Sequence, residues 1–303
     1  MEYKVVEIMG GLGNQMFQYA FAKSLEHHLQ IPILLDKSWY DNPKNAKMLS
    51  LDIFHMDLVY ATKTQVIEAL NHPNIEQLTE SRAFERKPKI LRSILKWLGY
   101  KKPTFSTPPF EYRAEYLKSN NITYFHGYFQ NPRYYQGIDD YIKESLSPPP
   151  IKSLENLSKL DQILNTKNSI FIHIRRGDYL SLSWQIDIEY YKKAVATIVN
   201  KIENPHFFLF CADREFAHNL DLGYPFIDMT SENISLDNHF EDLILMAHCQ
   251  HGIVANSSYS WWAAYLIENP HKIIIAPTPW LHSNDEIICD DWIKIQAEKE
   301  VRL

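Results

Sequence analysis

Strand-like and helix-like runs alternate along this chain from both ends, and that alternation limits its fold more than any other feature. KVVEI is followed by a helical pattern from Met16 and then by IPILLD. In the second half SIFIHI, EYYKKAVATIVNKI, HFFLFCAD, YPFIDM, FEDLILMAHC, GIVAN, SYSWWAAYLIE and KIIIAP alternate more regularly still. Parallel strands must be joined by crossovers, usually helices, so the pattern predicts an α/β protein, with the second half doubly wound. Between the halves lies SLSPPPIKSLENLS, whose proline run neither continues a helix nor pairs inside a sheet. We therefore expect two domains, residues 1–150 and 151–303, in a chain of 303 residues that is long enough for both. Two Rossmann-like halves facing a cleft would bring the loops at their strand C-termini to the interface, where open α/β sheets bind ligands.

The net charge of −6 offers polyanions no general attraction, which argues against nucleic acid as a partner. Neither a basic segment leading into an apolar run nor a stretch near 20 apolar residues is present, so the expected location is cytoplasmic. Cys211, Cys249 and Cys289 form no CxxC pair and read as reduced, largely buried thiols. His248-Cys249-Gln250-His251 has no second cluster to complete a tetrahedral metal site, and reads as structural. Residues 82–102, RAFERKPKILRSILKWLGYKK, form a basic segment with Ile90, Leu91, Ile94, Leu95 and Leu98 at helical spacing. It reads either as an amphipathic helix packed on the first domain or as a peripheral contact with anionic membrane or acceptor glycan.

GGLGNQ, residues 10–15, follows the first strand and precedes the first helix. Gly10, Gly11 and Gly13 permit close backbone approach, and the helix N-terminus presents unpaired N–H groups to an anion. A dinucleotide fingerprint is half matched: Asp36 ends the next strand, but Met16 stands where the third glycine belongs. Asn14 and Gln15 add amides that donate to phosphate or sugar hydroxyls, or else cap the helix.

Two further strand ends carry chemistry. In SIFIHIRRGDY, alternation places His173 and Arg175 on one face and Arg176 on the other, with Asp178 past a glycine. A guanidinium stays charged and forks onto phosphate, whereas an Arg176–Asp178 surface pair would contribute little. In GIVANSSYSWWAAYLIE, Asn256 or Ser257 can cap the helix, and Ser257 and Ser258 with the first-turn N–H groups make a second anion site. Trp261 and Trp262 are expected to pack internally. Asp213 and Asp228 end strands where they can accept from a nucleoside or cap a helix. No D-x-D triplet is present for a metal-bound nucleotide sugar, so arginines and helix ends would carry a leaving diphosphate's charge.

In order and separation, GGLGNQMFQYAFAKSL, HIRRGDY and ANSSYSWWAAYL closely resemble the bacterial α-1,2-fucosyltransferases of glycosyltransferase family 11. YFHGYFQNPRYY at 124–135 and NLDLGYPFIDMT at 219–230 resemble the Helicobacter members in particular. The resemblance implies a GT-B fold and inverting transfer from GDP-β-L-fucose, without metal or other cofactor, to the 2-hydroxyl of a terminal β-galactoside. It gives Fucα1-2Gal on a surface glycan such as lipopolysaccharide O-antigen. The partners it implies are GDP-fucose and a galactose-terminated oligosaccharide, with the first domain on the acceptor side and the second holding the donor.

By the same resemblance Arg175 contacts the donor β-phosphate and Asn14 approaches it from the other domain. Asp213 is then expected on the nucleoside side and Asn256, Ser257 and Ser258 on the phosphates. Gly11, Gly13, Gln15, Arg176 and Asp228 complete the donor-binding candidates. A base for the acceptor's proton stays open among His173, Asp178 and Asp36. The rival readings are an NAD(P)-dependent oxidoreductase, supported by the glycine turn and Asp36, and a glycan- or nucleotide-binding protein without turnover.

Overall fold

The computed structural model describes residues 2–54, 56–71, 110–118, 121–230, 240–281 and 284–298, the side chains of Asn71, Asp178 and Ser181 excepted. The basic segment 82–102 lies outside the described residues. The chain divides into two compact units, Met1–Leu146 and Ser147–Leu303, at the residues leading into the proline run.

The first unit holds β1 (Lys4–Glu7), α1 (Leu12–Leu29), β2 (Ile33–Asp36), α2 (Lys63–Asn71), β3 (Tyr124–Phe125) and α3 (Asp139–Ser145). Its described strands are parallel in the order β2-β1-β3, so the chain leaves β1 for one neighbour and then crosses to the other side. Strand alternation gives each face its own cover. Val5, Leu34 and Tyr124 pack with Val66 and Ala69 of α2. On the other face Phe125 meets Phe21 of α1 edge-on at 5.4 Å, and Phe21 stacks on Phe129 at 3.9 Å. Aromatic pairs of this kind add about 0.5–1.5 kcal/mol each beyond the area they bury.

The helix expected from Met16 begins four residues earlier, at Leu12. Gly10, at φ +78°, makes the turn by itself and Gly11 takes the N-cap position in extended backbone. Gly13, Asn14 and Gln15 are therefore first-turn helical residues. A helical glycine costs about 1 kcal/mol, a cost outweighed by burying Met16, Phe17, Ala20, Phe21 and Leu25.

The second unit opens with α4 (Leu154–Leu164). The buried Glu241 carboxylate accepts from the Lys152 and Ser153 N–H groups and from Asn156 Nδ2, fastening the chain as it leaves the prolines. There follow β4 (Ser169–Ile174), α5 (Gly177–Leu182), α6 (Ile188–Val199), β5 (His206–Cys211), α7 (Arg214–His218), β6 (Phe226–Asp228) and α8 (Glu241–Ala247). Then come β7 (His251–Ile253), α9 (Ser258–Leu266), β8 (Ile274–Thr278) and β9 (Ile293–Gln296). Its six described strands are parallel in the order β6-β5-β4-β7-β8-β9, a doubly wound sheet whose winding reverses between β4 and β7. Ile170, Ile172 and Ile174 of β4 pack with Tyr190, Tyr191, Ala194 and Ile198 of α6. On the opposite face Phe171 fills the space above Gly252, where an added Cβ would lie 2.3 Å from its ring. Trp261 and Trp262 are fully buried, as expected, and Trp261 donates to the Ile287 carbonyl at 2.7 Å.

Candidate active site

Open α/β sheets leave a crevice at the strand C-termini where the winding reverses, because the two crossovers depart in opposite directions. In the second unit that point lies between β4 and β7, and both motifs leave from it: His173–Arg176 at the end of β4, and Asn256–Ser258 after β7. The two segments touch, with Tyr179 Oη donating to the Asn256 carbonyl at 3.2 Å and Asn256 Nδ2 donating to the Trp184 carbonyl at 2.9 Å.

The two arginines follow the last residue of β4 and meet different aromatic rings. Arg175 lies 5.4 Å from the centre of the Tyr179 ring. Arg176 packs its guanidinium 3.9 Å from the centre of Phe216 and donates Nε to Asp213 Oδ2 at 3.0 Å. Asp213 Oδ1 accepts from the Phe216 N–H at 3.0 Å and caps α7. That backbone bond, followed by Arg176, holds the Asp213 carboxyl below its ordinary value. Arg176 thus meets a carboxylate 37 residues away; the Asp178 side chain lies outside the described residues. At Gly177 φ is +38°, a left-handed value that favours glycine.

The His173 ring is buried beside Tyr259, its Nδ1 unpartnered among the described residues. Burial first, and the Arg175 charge second, push its pKa down to about 3. Arg175 and Arg176 line a hollow of about 490 Å³ together with Gln185, Asp187 and Phe216. Gln185 also lines it: the residue is 2% exposed and its Oε1 has no partner among the described residues. No motif or periodicity in SWQID marks it. A larger hollow in the first unit, about 760 Å³, is lined by the last turns of α1 and the start of α3, and none of the expected site residues reaches it.

Ser257 occupies the N-cap position of α9, but its side chain makes no capping bond, and the Asn256 amide is turned to Trp184 instead of the helix. Ser258 opens the first turn. Asp228 sits on the outer strand β6, where Oδ1 accepts from the Thr230 N–H at 2.8 Å. It closes a local turn, two strands from β4.

In the first unit the winding reverses between β1 and β3, and the glycine turn leaves from β1. Gln15 is fully buried: Nε2 donates to the Gly10 and Met48 carbonyls at 2.9 and 2.6 Å, and Oε1 accepts from the Ser50 N–H at 3.0 Å. Its amide braces the turn from within. Asn14 is half-buried, and Oδ1 accepts from Gln130 Nε2 at 2.7 Å, which commits that oxygen and sets the amide's orientation. The Asn14 amide crosses over Gly10, where a Cβ would lie 2.6 Å from Nδ2. Gly11 has open space around it, and Gly13 is buried in the first turn. Asp36 faces inward, accepting from Tyr124 Oη at 2.6 Å and from Ser38 N–H at 2.8 Å and Oγ at 3.1 Å.

Comparison with known proteins identifies the family and the fold. The model of "Glycosyl transferase family 11" matches residues 4–296. An α-1,2-colitosyltransferase of Escherichia coli is 28% identical over 98% of this chain and all of its own length. A galactoside 2-α-L-fucosyltransferase of Caenorhabditis elegans is 24% identical over 48% of this chain and 43% of its own. Among solved structures, an α-1,6-fucosyltransferase, NodZ, soaked with GDP-fucose superposes with a TM-score of 0.50 at 12% identity, covering 88% of this chain and 92% of that one. The latter likeness is one of fold, and the fold is GT-B: α/β, built on parallel sheets.

Proposed function

The chain belongs to glycosyl transferase family 11, and on that premise we propose that it transfers L-fucose from GDP-β-L-fucose to the 2-hydroxyl of a terminal β-galactoside, with inversion. One observation carries the reading: the Arg175–Arg176 segment and the Asn256–Ser258 turn meet at the winding reversal of the second unit's sheet, tied by Tyr179. The Arg175 guanidinium and a helix N-terminus at one place suit a diphosphate. The hollow beside them, with the unmet Gln185 acceptor, suits the nucleoside.

In this reading Arg175 stabilises charge on the departing diphosphate while the galactose 2-hydroxyl attacks from the opposite face. Arg176 is held by Asp213 at the nucleoside side, and Asn256, Ser257 and Ser258 meet the phosphates. Asn14 presents its amide to the sugar-phosphate end. The charge on the leaving group is then met by protein groups alone, so EDTA leaves the rate unchanged. The 2-linkage draws support from the 1,2-transfers named for both relatives, and the donor from the fucosyl transfer named for one of them and for the solved structure. A surface glycan such as O-antigen is the proposed acceptor.

A second reading has a specific observation behind it, the colitosyltransferase matched over its whole length. Colitose is fucose lacking the 3-hydroxyl, so the two donors differ by one polar group. Incubating the protein with lactose and each GDP-sugar, in EDTA, and identifying the product's linkage by NMR decides between them. A 2-linked fucoside supports the first reading, a product only from GDP-colitose the second, and GDP binding without either product would leave a binding protein.

A further inference from the structure

Transfer to a hydroxyl releases a proton, and the three residues that the sequence offers to accept it are differently placed. His173 is buried and its pKa is held down to about 3, a weak base at any working pH. Asp36 has its oxygens engaged by Tyr124 and Ser38. The Asp178 side chain lies outside the described residues.

The first unit holds a fourth. Val6 pairs with Phe125, and the next residue on each strand path is Glu7 at the end of β1 and His126 just past β3. Glu7 Oε2 is hydrogen-bonded to His126 Nδ1. The glutamate is 1% exposed and the imidazole 25%, so a buried carboxylate holds a ring that reaches the surface. An ionised carboxylate only accepts, so Nδ1 carries the proton and the lone pair lies on Nε2.

The pair stands where the sheet's winding reverses, the place at which open α/β sheets bind ligands. Both of its flanks are clamped by one amide: Gln18 Oε1 accepts from the Met9 N–H and Nε2 donates to the Gly127 carbonyl, each at 2.9 Å. Among the described residues, titratable groups that face the pair include Asp36, opposite Glu7 on β2, and Tyr40 and Tyr128. Burial first and the Glu7 charge next push both phenols up, so they stay protonated at working pH. Tyr40 Oη is moreover committed to the Gly10 carbonyl at 2.8 Å.

We propose that His126 takes the acceptor hydroxyl's proton at Nε2, with Glu7 as the positioning residue that fixes the ring and stabilises the imidazolium. The proposal rests on the transferase reading above. As the galactose oxygen bonds to the anomeric carbon, the bond from that carbon to the phosphate oxygen breaks and its electron pair leaves with GDP. The hydroxyl's O–H bond breaks and its proton passes to Nε2, then to solvent.

The test uses the full-length protein, GDP-fucose and lactose. His126→Ala is expected to lower transfer on the order of a hundredfold while GDP binding stays within about twofold, and added imidazole to restore part of the rate. In the wild type the rate is expected to fall on the acid side as Nε2 is protonated; His126→Gln loses that limb, and Glu7→Gln lowers kcat more than it changes KM. Should His126→Ala fail to fold, the pH profiles of His126→Gln and Glu7→Gln decide alone. Transfer within about threefold of wild type in His126→Ala overturns the proposal. So does a loss with neither imidazole rescue nor a changed acid limb, which marks a structural role. Wild-type protein that transfers no fucose overturns the reading beneath it and the proposal with it.

Discussion

Tyr179 donates its hydroxyl to the backbone carbonyl of Asn256 at 3.2 Å, joining two segments 77 residues apart in the sequence. With the bond from Asn256 Nδ2 to the Trp184 carbonyl, it ties the stretch that follows the arginines to the turn that opens α9. Tyr179→Phe keeps the ring beside Arg175 and removes the bond. A single neutral hydrogen bond contributes about 0.5–1.5 kcal/mol, so GDP affinity should weaken about two- to tenfold by calorimetry, with thermal stability little changed.

Arg175 is expected to act in the transition state. Arg175→Ala should lower turnover on the order of a hundred- to a thousandfold in a GDP-release assay with lactose. Arg175→Lys should recover little, because an ammonium lacks the planar fork. Near-normal turnover in Arg175→Ala would remove the residue from the mechanism.

Asn14 depends on two neighbours, Gln130 on its carbonyl side and the missing side chain of Gly10 beneath its amide. Asn14→Ala should lower kcat about tenfold or more, and Gln130→Ala in the same direction by less, since it removes one bond to the amide and not the amide itself. Gly10→Ala should impair both activity and stability, because φ is +78° and the added Cβ would lie 2.6 Å from Asn14 Nδ2. Steady-state kinetics with a melting curve for each variant checks all three.

Gly252→Ala is a packing test. Its Cβ would meet the ring of fully buried Phe171 at 2.3 Å, so the ring would have to shift inside a packed core. Overpacking of this kind costs about 1–3 kcal/mol, so the melting temperature should fall clearly. Gly252→Ala with Phe171→Leu should recover part of it.

Stability should depend on pH through His173. Its ordinary value near 6.5 falls to about 3 in the fold, so between those values the unfolded chain binds more protons and stability drops as the pH is lowered. His251, also lowered by burial, and Asp213, lowered by its cap and Arg176, act with the same sign. Asp242, raised from 3.8 to about 6 chiefly by burial, acts in the opposite sense between those values. The net loss should therefore be shallow from pH 6 to 4 and steeper below 4. His173→Gln should flatten the lower part, read from denaturant midpoints across the range.

Much of the architecture is legible in the chain because its signals are local. Alternating apolar runs mark β1, β2 and β4 through β8, and the motifs in HIRRGDY and NSSYSWW sit at strand ends that parallel order brings side by side. β3 leaves no mark in the sequence because two residues carry no period, and β9 leaves little because IKIQ alternates over only four. The helix start at Leu12 was hidden by the glycines, of which one suffices for the turn.

The sequence by itself determined the α/β class, the strand-turn-helix junctions and the identity of the charged groups that leave them, since each follows from neighbours a few residues apart. Tertiary structure alone decided which way those groups face. It turned Gln15 and the Asn256 amide inward, paired Arg176 with Asp213, and set Glu7 against His126 across 119 residues. Such pairings follow from strand order. Strand order is settled by how whole sheets and helices bury their faces, which no short stretch of sequence records.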